Sequence, residues 1–284
     1  MVIWGGTFVA TKVALKEVQP ETVVFLRFAM GVIILAAGVQ FRGQWQSISR
    51  KDFWTLAGLG LLGISFHQWL QSTGMVTSAA STTAWIVASS PVFIAILGWL
   101  VLREKSSWMQ MGGIALAFLG VLLVVSRGNL QVSNIGRIGT MGDLLILISA
   151  VNWAVFSVLS RAILKRLPAA LTMFYVIFFG FCFSSLLFFI KTGVGDVAHL
   201  SGNGWLAILV LGVFGSGLAY IAWFDALQNL SANQAGVFLN IEPLVTMLMA
   251  FLILGEPITW ASILGGAVII AGVWMVNRRP AVEN

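Results

Sequence analysis

The sequence predicts an all-α membrane protein, ten transmembrane helices arranged as two inverted five-helix repeats. Three observations predict it. Hydrophobic residues make up 59% of the 284 positions and charged residues 9%, with a mean hydropathy of +0.96. Soluble domains carry ~25% charged residues, so this apolar surface needs lipid as its solvent. The apolar residues fall into ten runs. The two halves of the chain also align with one another.

A bilayer core of ~30 Å takes ~20 apolar residues, and backbone groups inside it must be satisfied within a helix. The runs cover 1–18, 22–41, 53–73, 78–102, 107–126, 141–164, 169–190, 203–226, 231–254 and 258–277. Short connections carry turn residues, as in Gln19-Pro20-Glu21 and Arg166-Leu167-Pro168. The segment 127–140 is the longer link between the halves. The stretch from Ile3 to Leu15 is short for a crossing at ~1.5 Å per residue, so an earlier natural start or a stubby first helix is expected.

Charge and composition exclude several classes. The net charge of +6 and pI near 10.0 could suit nucleic acid, but the basic residues lie in small clusters between apolar runs. That is the pattern of topology signals, and no nucleic acid partner is expected. With the N-terminus in the cytoplasm, ten Lys and Arg fall on inner segments and five on outer ones. Both termini are therefore expected inside a multi-pass cell (inner) membrane protein. The single Cys182 excludes an intrachain disulfide, and two histidines, His67 and His199, leave little for a metal. No cofactor is expected.

Shifting the first half by 152 residues brings Gly60 onto Gly212, Gly63 onto Gly215, Pro91 onto Pro243, Glu104 onto Glu256 and Trp108 onto Trp260. It also brings Gly113 onto Gly265 and Gly120 onto Gly272, and near the start of each half the offset is 149, matching Trp4 to Trp153. Five spans per half is an odd number, so the second half enters the membrane upside down, as in many secondary transporters. The block Trp4-Gly5-Gly6-Thr7-Phe8-Val9-Ala10-Thr11-Lys12, then Leu26-Arg27-Phe28, Pro91 to Glu104, Pro243 to Glu256, and the trailing Gly113 and Gly120 resemble the EamA family of the drug/metabolite transporter superfamily. The resemblance covers nearly the whole chain in two copies, 1–126 and 141–277. It implies an inner-membrane carrier, commonly an exporter of amino acids, metabolites or drug-like compounds. One departure is Arg103 where the second half has Gly255.

The expected site is a cavity between the halves, lined by spans one, three, four, six, eight and nine, which holds a small-molecule substrate. Its aromatic wall is assigned to Trp4, Trp85, Trp153, Phe156, Tyr175, Tyr220 and Trp223, since such faces suit amphipathic and cationic cargo. Polar groups are assigned to His67, Gln68, Gln71 and Asn240. Glu242, inside span nine, costs several kcal/mol unless paired or protonated, and is the proton-coupling or substrate-amine candidate. Pro91 and Pro243 each remove a helix hydrogen bond and are the gating candidates. Lys12 and Arg27 are expected to snorkel to the interface, the alternative being that they attract a carboxylate or pair with Glu242. Glu104 and Glu256 are expected to bond the first amides of the helix that follows them. Gly58-Leu59-Gly60-Leu61-Leu62-Gly63 spells a dinucleotide fingerprint, yet it lies inside a span and reads as close helix packing. Spans five and ten are expected at the periphery or at a contact with a second copy. The alternatives from other classes are an intramembrane enzyme, which would need a clustered catalytic set, and a passive channel.

Overall fold

The computed structural model describes residues 1–102, 107–129, 139–222 and 241–277. Every regular element among them is helical. Helix α1 covers Val2–Ala14, α2 Pro20–Phe41, α3 Arg50–Gly60, α4 His67–Thr77, α5 Ala80–Ala88, α6 Ser90–Leu102 and α7 Trp108–Val125. Helix α8 covers Met141–Leu164, α9 Ala169–Lys191, α10 Val194–Val197 and α11 Gly202–Leu209. Helix α12 covers Ile241–Met249 and α13 Trp260–Asn277. Three π-helical segments, Leu61–Phe66, Val210–Leu218 and Ala250–Leu254, continue α3, α11 and α12.

Seven stretches among the described residues are long and apolar enough to cross a membrane: Pro20–Phe41, Ala80–Leu100, Trp108–Val125, Met141–Leu164, Ala169–Lys191, Gly202–Ala222 and Trp260–Asn277. Val2–Ala14 and Ile241–Leu254 are shorter apolar helices. The helical run through α3 and α4 is long as well. Arg50, Lys51 and Asp52 at its start, and His67, Gln68 and Gln71 within it, make it more polar than the others.

Helix starts are set by side-chain caps. The Ser49 hydroxyl accepts from the Asp52 amide at 3.1 Å and opens α3. Ser201 does the same for α11 through the Gly204 amide. Ser107 and Gln110 form a reciprocal capping box on α7, and the Thr259 hydroxyl accepts from the Ser262 amide at the start of α13. Each cap satisfies one of the amides a helix N-terminus leaves without a partner. The cap pairs Ser49/Ser201 and Ser107/Thr259 are spaced by the same 152 residues as the sequence repeat.

Interhelical contacts run through glycines and fall into crossed pairs. A Cβ at Gly60 would lie 2.6 Å from the Val176 carbonyl, and one at Gly212 would lie 3.1 Å from the Arg27 carbonyl. Gly63 faces the Phe156 ring, and Gly215 faces Thr7. Gly180 lies against Ile64, and Gly31 against Ser216. Helices α7 and α13 pack antiparallel, Gly113 on the Gly272 carbonyl and Gly120 on the Gly265 carbonyl. Their small faces are thus used against each other within the chain.

Three apolar clusters fill the interior. One gathers Trp85, Val121, Val124, Ile269 and Val273. A second gathers Phe28, Leu35, Leu56, Phe156 and Ile177 from α2, α3, α8 and α9. A third joins Ala14, Val23, Ile208 and Leu211.

Candidate functional site

The polar centre of the bundle is built on Arg27. It lies seven residues into α2, about 10 Å along the helix at 1.5 Å per residue, and is 6% exposed. Its guanidinium does not snorkel to an interface. Nε donates to the Ser216 hydroxyl at 3.0 Å and Nη1 to Gln68 Oε1 at 3.0 Å, and the group lies 5.1 Å from the centre of the Phe28 ring. Among the described residues no carboxylate stands within ion-pairing distance of it. A charge at mid-helix in a bilayer costs ~2.5–3.5 kcal/mol or more, so two neutral partners leave that charge uncompensated.

Both partners come from π-helical sites. Ser216 is inside Val210–Leu218, and Gln68 is the second residue after Leu61–Phe66. A π-helical turn widens the helix and re-aims its side chains, and such turns concentrate at functional sites. The Asn152 amide steadies the first of them by donating to the Leu62 carbonyl at 2.8 Å.

Aromatic groups surround this centre. Tyr220 stands one turn beyond Ser216 and lies within electrostatic reach of both Arg27 and Glu242. The Trp4 ring meets Tyr220 edge-on at 5.5 Å, and its indole N–H donates to the Gly215 carbonyl at 3.1 Å. On the other side, buried His67 feels the Arg27 charge. Its Nδ1 lies 3.1 Å from the Ser149 carbonyl, an acceptor only, so that nitrogen carries the proton. The His67 ring is 5.1 Å from Trp153, which is 5.0 Å from Phe156. Gln71 is buried one turn along from His67.

Glu242 opens α12 beside α1. Its carbonyl accepts from Thr246 Oγ1 at 3.0 Å, and the same hydroxyl donates to the Gly5 carbonyl at 2.9 Å. Pro243 is buried next to it. Pro91 follows a break in the helix at Ser89, between α5 and α6. Two assigned wall residues lie apart from the centre. Trp85 is 1% exposed and packs on Gly266 of α13, while Tyr175 meets Phe174 edge-on and stacks with Phe179 along α9. Trp223, Asn240, Glu104 and the rest of 231–240 lie outside the described residues. An apolar groove of about 560 Å³, lined by Trp54, Leu61, Leu62, Phe66 and Leu159, offers no charged group to a polar cargo.

One end of the bundle is stitched by side chains. Lys191 donates to Glu21 at 2.9 Å, and Trp69 Nε1 donates to the same oxygen at 3.1 Å. Asp196 accepts from the Gln19 amide at 2.9 Å and from the Thr22 hydroxyl. Glu256 does not cap the helix that follows it. It accepts from the amides of Ala80 at 2.7 Å and Ser81 at 3.0 Å, at the start of α5.

The model of the EamA-like transporter family matches residues 1–126 and 140–278. The chain belongs to the EamA-like transporter family. Among the relatives of this EamA-like protein is an "Uncharacterized transporter" of Archaeoglobus fulgidus, 28% identical over 279 residues, covering 98% of this chain and 95% of the relative. Another is a "Probable terminal-alkyne amino-acid exporter" of Streptantibioticus cattleyicolor, 27% identical over 280 residues, covering 98% of this chain and 91% of the relative. A solved crystal structure shares the fold with a TM-score of 0.69 at 19% identity, covering 97% of this chain and 92% of the other. The EamA-like chain is thus a multi-pass membrane protein of a transporter family.

The sequence assigned Arg27 to an interface and gave Ser216 and Ser149 no role. The one signal available was a cation within an apolar run together with a second span carrying the polar His67, Gln68 and Gln71.

Proposed function

We propose that this EamA-like protein is a secondary transporter that exports amino acids or similar small molecules by alternating access. The reading takes residues 1–126 and 141–277 as two five-helix repeats of opposite orientation, joined by 127–140, ten transmembrane helices in all, with both termini in the cytoplasm. The observation that carries it is the crossed set of glycine contacts: Gly60 on Val176 and Gly212 on Arg27, Gly63 on Phe156 and Gly215 on Thr7. Each contact joins the third span of one half to the first or second span of the other. The partners recur at the offsets of 149 and 152 found in the sequence. Two equivalent interfaces of this kind let either half take the packing of its counterpart, which is what opening a site to alternate faces requires. The cargo would meet Trp4, His67, Gln68, Gln71, Trp153, Phe156 and Tyr220 at the centre. Glu242 is the proton-coupling candidate, and Pro91 and Pro243 are the gating candidates. The exporter among the relatives supports amino acids as the first cargo to try.

Purified protein in liposomes tests the reading. Preloaded unlabelled amino acid should drive saturable uptake of the labelled one. Linear, non-saturating flux would indicate a pore, and chemical change of the solute an enzyme. Topology is tested with Trp108→Cys and Trp260→Cys in a Cys182→Ala background, since both tryptophans are exposed. An impermeant maleimide should reach them from opposite faces, and labelling from one face would sink the inverted arrangement.

A further inference from the structure

Among the described residues Arg27 presents a charge without a counter-charge. The guanidinium has five N–H donors, of which one goes to Ser216 and one to Gln68. The hydrogens on Nη2 and the second on Nη1 have no hydrogen-bond partner among the described residues. These three hydrogens of the forked guanidinium are left to donate to the oxygens of one planar anion. The other basic groups there are engaged. Lys12 gives its ammonium to the Met75 carbonyl at 2.6 Å, and His67 spends its Nδ1 on Ser149. One fixed positive charge matches one negative charge, so a monoanionic carboxylate fits where a dianionic phosphate would stay half-neutralised. Trp4 and Tyr220, edge-on at 5.5 Å, supply apolar surface beside the fork. Glu242, whose charge like that of Arg27 is felt at Tyr220, suits an ammonium on the same molecule.

We propose that Arg27 is the anchor for the carboxylate of the transported molecule, held in place by Gln68 and Ser216. This rests on the transport reading above and goes beyond it by naming the recognised group and the residue. The cargo class is then a small molecule with one free carboxylate and an apolar body, and an amide of the same body is excluded. Gln68 offers a sharp control. Gln68→Glu is nearly isosteric and puts a carboxylate where the amide oxygen already accepts from Nη1. It closes an internal ion pair and fills the place of the cargo's own charge.

The test compares the twenty amino acids, their amides and the corresponding decarboxylated amines, by ligand-induced melting shift and by counterflow in liposomes. In wild-type protein the carboxylates should bind and move, and their amides should not. Arg27→Gln and Arg27→Lys should lose ~10-fold or more in affinity, because neither keeps the fork. Gln68→Glu should lose as much while melting no lower than wild type. Its retained fold keeps the inference falsifiable if the Arg27 variants fail to assemble. Amides or amines binding as well as carboxylates, or full affinity in Gln68→Glu, would overturn the anchor and leave transport standing. Absence of binding and counterflow with every class would overturn the anchor and the transport reading together.

Discussion

Lys12 and Glu256 bracket the junction between α4 and α5 from opposite sides. The Lys12 ammonium donates to the Met75 carbonyl at 2.6 Å, at the carboxyl end of α4. The Glu256 carboxylate takes the Ala80 and Ser81 amides and the Ser81 hydroxyl, at the amino end of α5. A cation at a helix C-terminus and an anion at an N-terminus both oppose the partial charges left there, and each charge is supplied from a segment remote in sequence. Lys12→Met and Glu256→Gln should each cost about 1 kcal/mol of stability. The two groups also attract one another, so the double variant should depart from the sum by about 0.5 kcal/mol or more. Thermal melts of the four proteins in one detergent measure this, and strict additivity would count against the bracket.

Gly58 and Gly60 sit two residues apart in α3 and should respond in opposite senses. A Cβ at Gly58 meets nothing within 4 Å, whereas one at Gly60 would lie 2.6 Å from the Val176 carbonyl and 2.8 Å from the Gly180 amide. Backbone atoms of α9 cannot rotate away. Gly58→Ala should stabilise by about 0.5–1 kcal/mol through lower backbone entropy in the unfolded chain. Gly60→Ala should destabilise by about 1–3 kcal/mol by forcing the helices apart. Melting temperatures of the two variants decide it, and equal shifts would show that α3 and α9 are not in close contact.

These glycines also show what a sequence of this kind discloses. Composition alone calls for lipid, and the offset that aligns Gly60 with Gly212 already names residues that make equivalent contacts in space. The π-helical segments were not legible, because in spans apolar on nearly every side the shift of register a π turn introduces leaves no mark on the pattern. Arg27 was misplaced for a related reason. A long basic side chain can reach the interface from many depths, and only the positions of Gln68 and Ser216 show that it stays inside. Glu256 was read as serving its own neighbour, since local spacing carries no trace of the amides of Ala80 and Ser81 folded against it.

Glu17 ties the connection after α1 to the start of α11. The Ser201 hydroxyl and amide both donate to its carboxylate at 2.7 Å. These bonds, the hydroxyl's first, hold its pKa below the ordinary carboxylate value. A carboxylate whose pKa is lower folded than unfolded adds stability above the unfolded value, ~4.3, and that stability fades as pH falls through the folded one. Wild-type protein should therefore melt above Glu17→Gln near neutral pH, and the gap should close between about pH 5 and pH 3. A gap that stays constant across that range would show that the carboxylate contributes no pH-linked stability. Ser201→Ala should narrow the same gap.

Pro91 breaks the fourth span where a backbone amide is missing, and the structure shows how the loss is covered. The Val87 carbonyl, which a residue at 91 would normally bond, accepts instead from the Ser90 hydroxyl at 2.6 Å. The Ile86 carbonyl accepts from the Ser89 amide at 3.1 Å and from the Ser89 hydroxyl at 2.6 Å, and both serines are buried. A proline costs ~3 kcal/mol in a helix interior and less in a first turn, and the Ser90 hydroxyl recovers a part. Pro91→Ala restores the amide and should stabilise the protein by about 1–2 kcal/mol. If the break is a hinge for exchange between two packings, the straighter helix should lower the turnover of counterflow while leaving the half-saturation concentration unchanged. Ser90→Ala leaves the Val87 carbonyl without its partner and should destabilise by about 1 kcal/mol instead. The pairing of higher stability with slower turnover in Pro91→Ala separates a hinge from a residue that only shapes packing, since relieving a purely structural strain would leave the rate untouched.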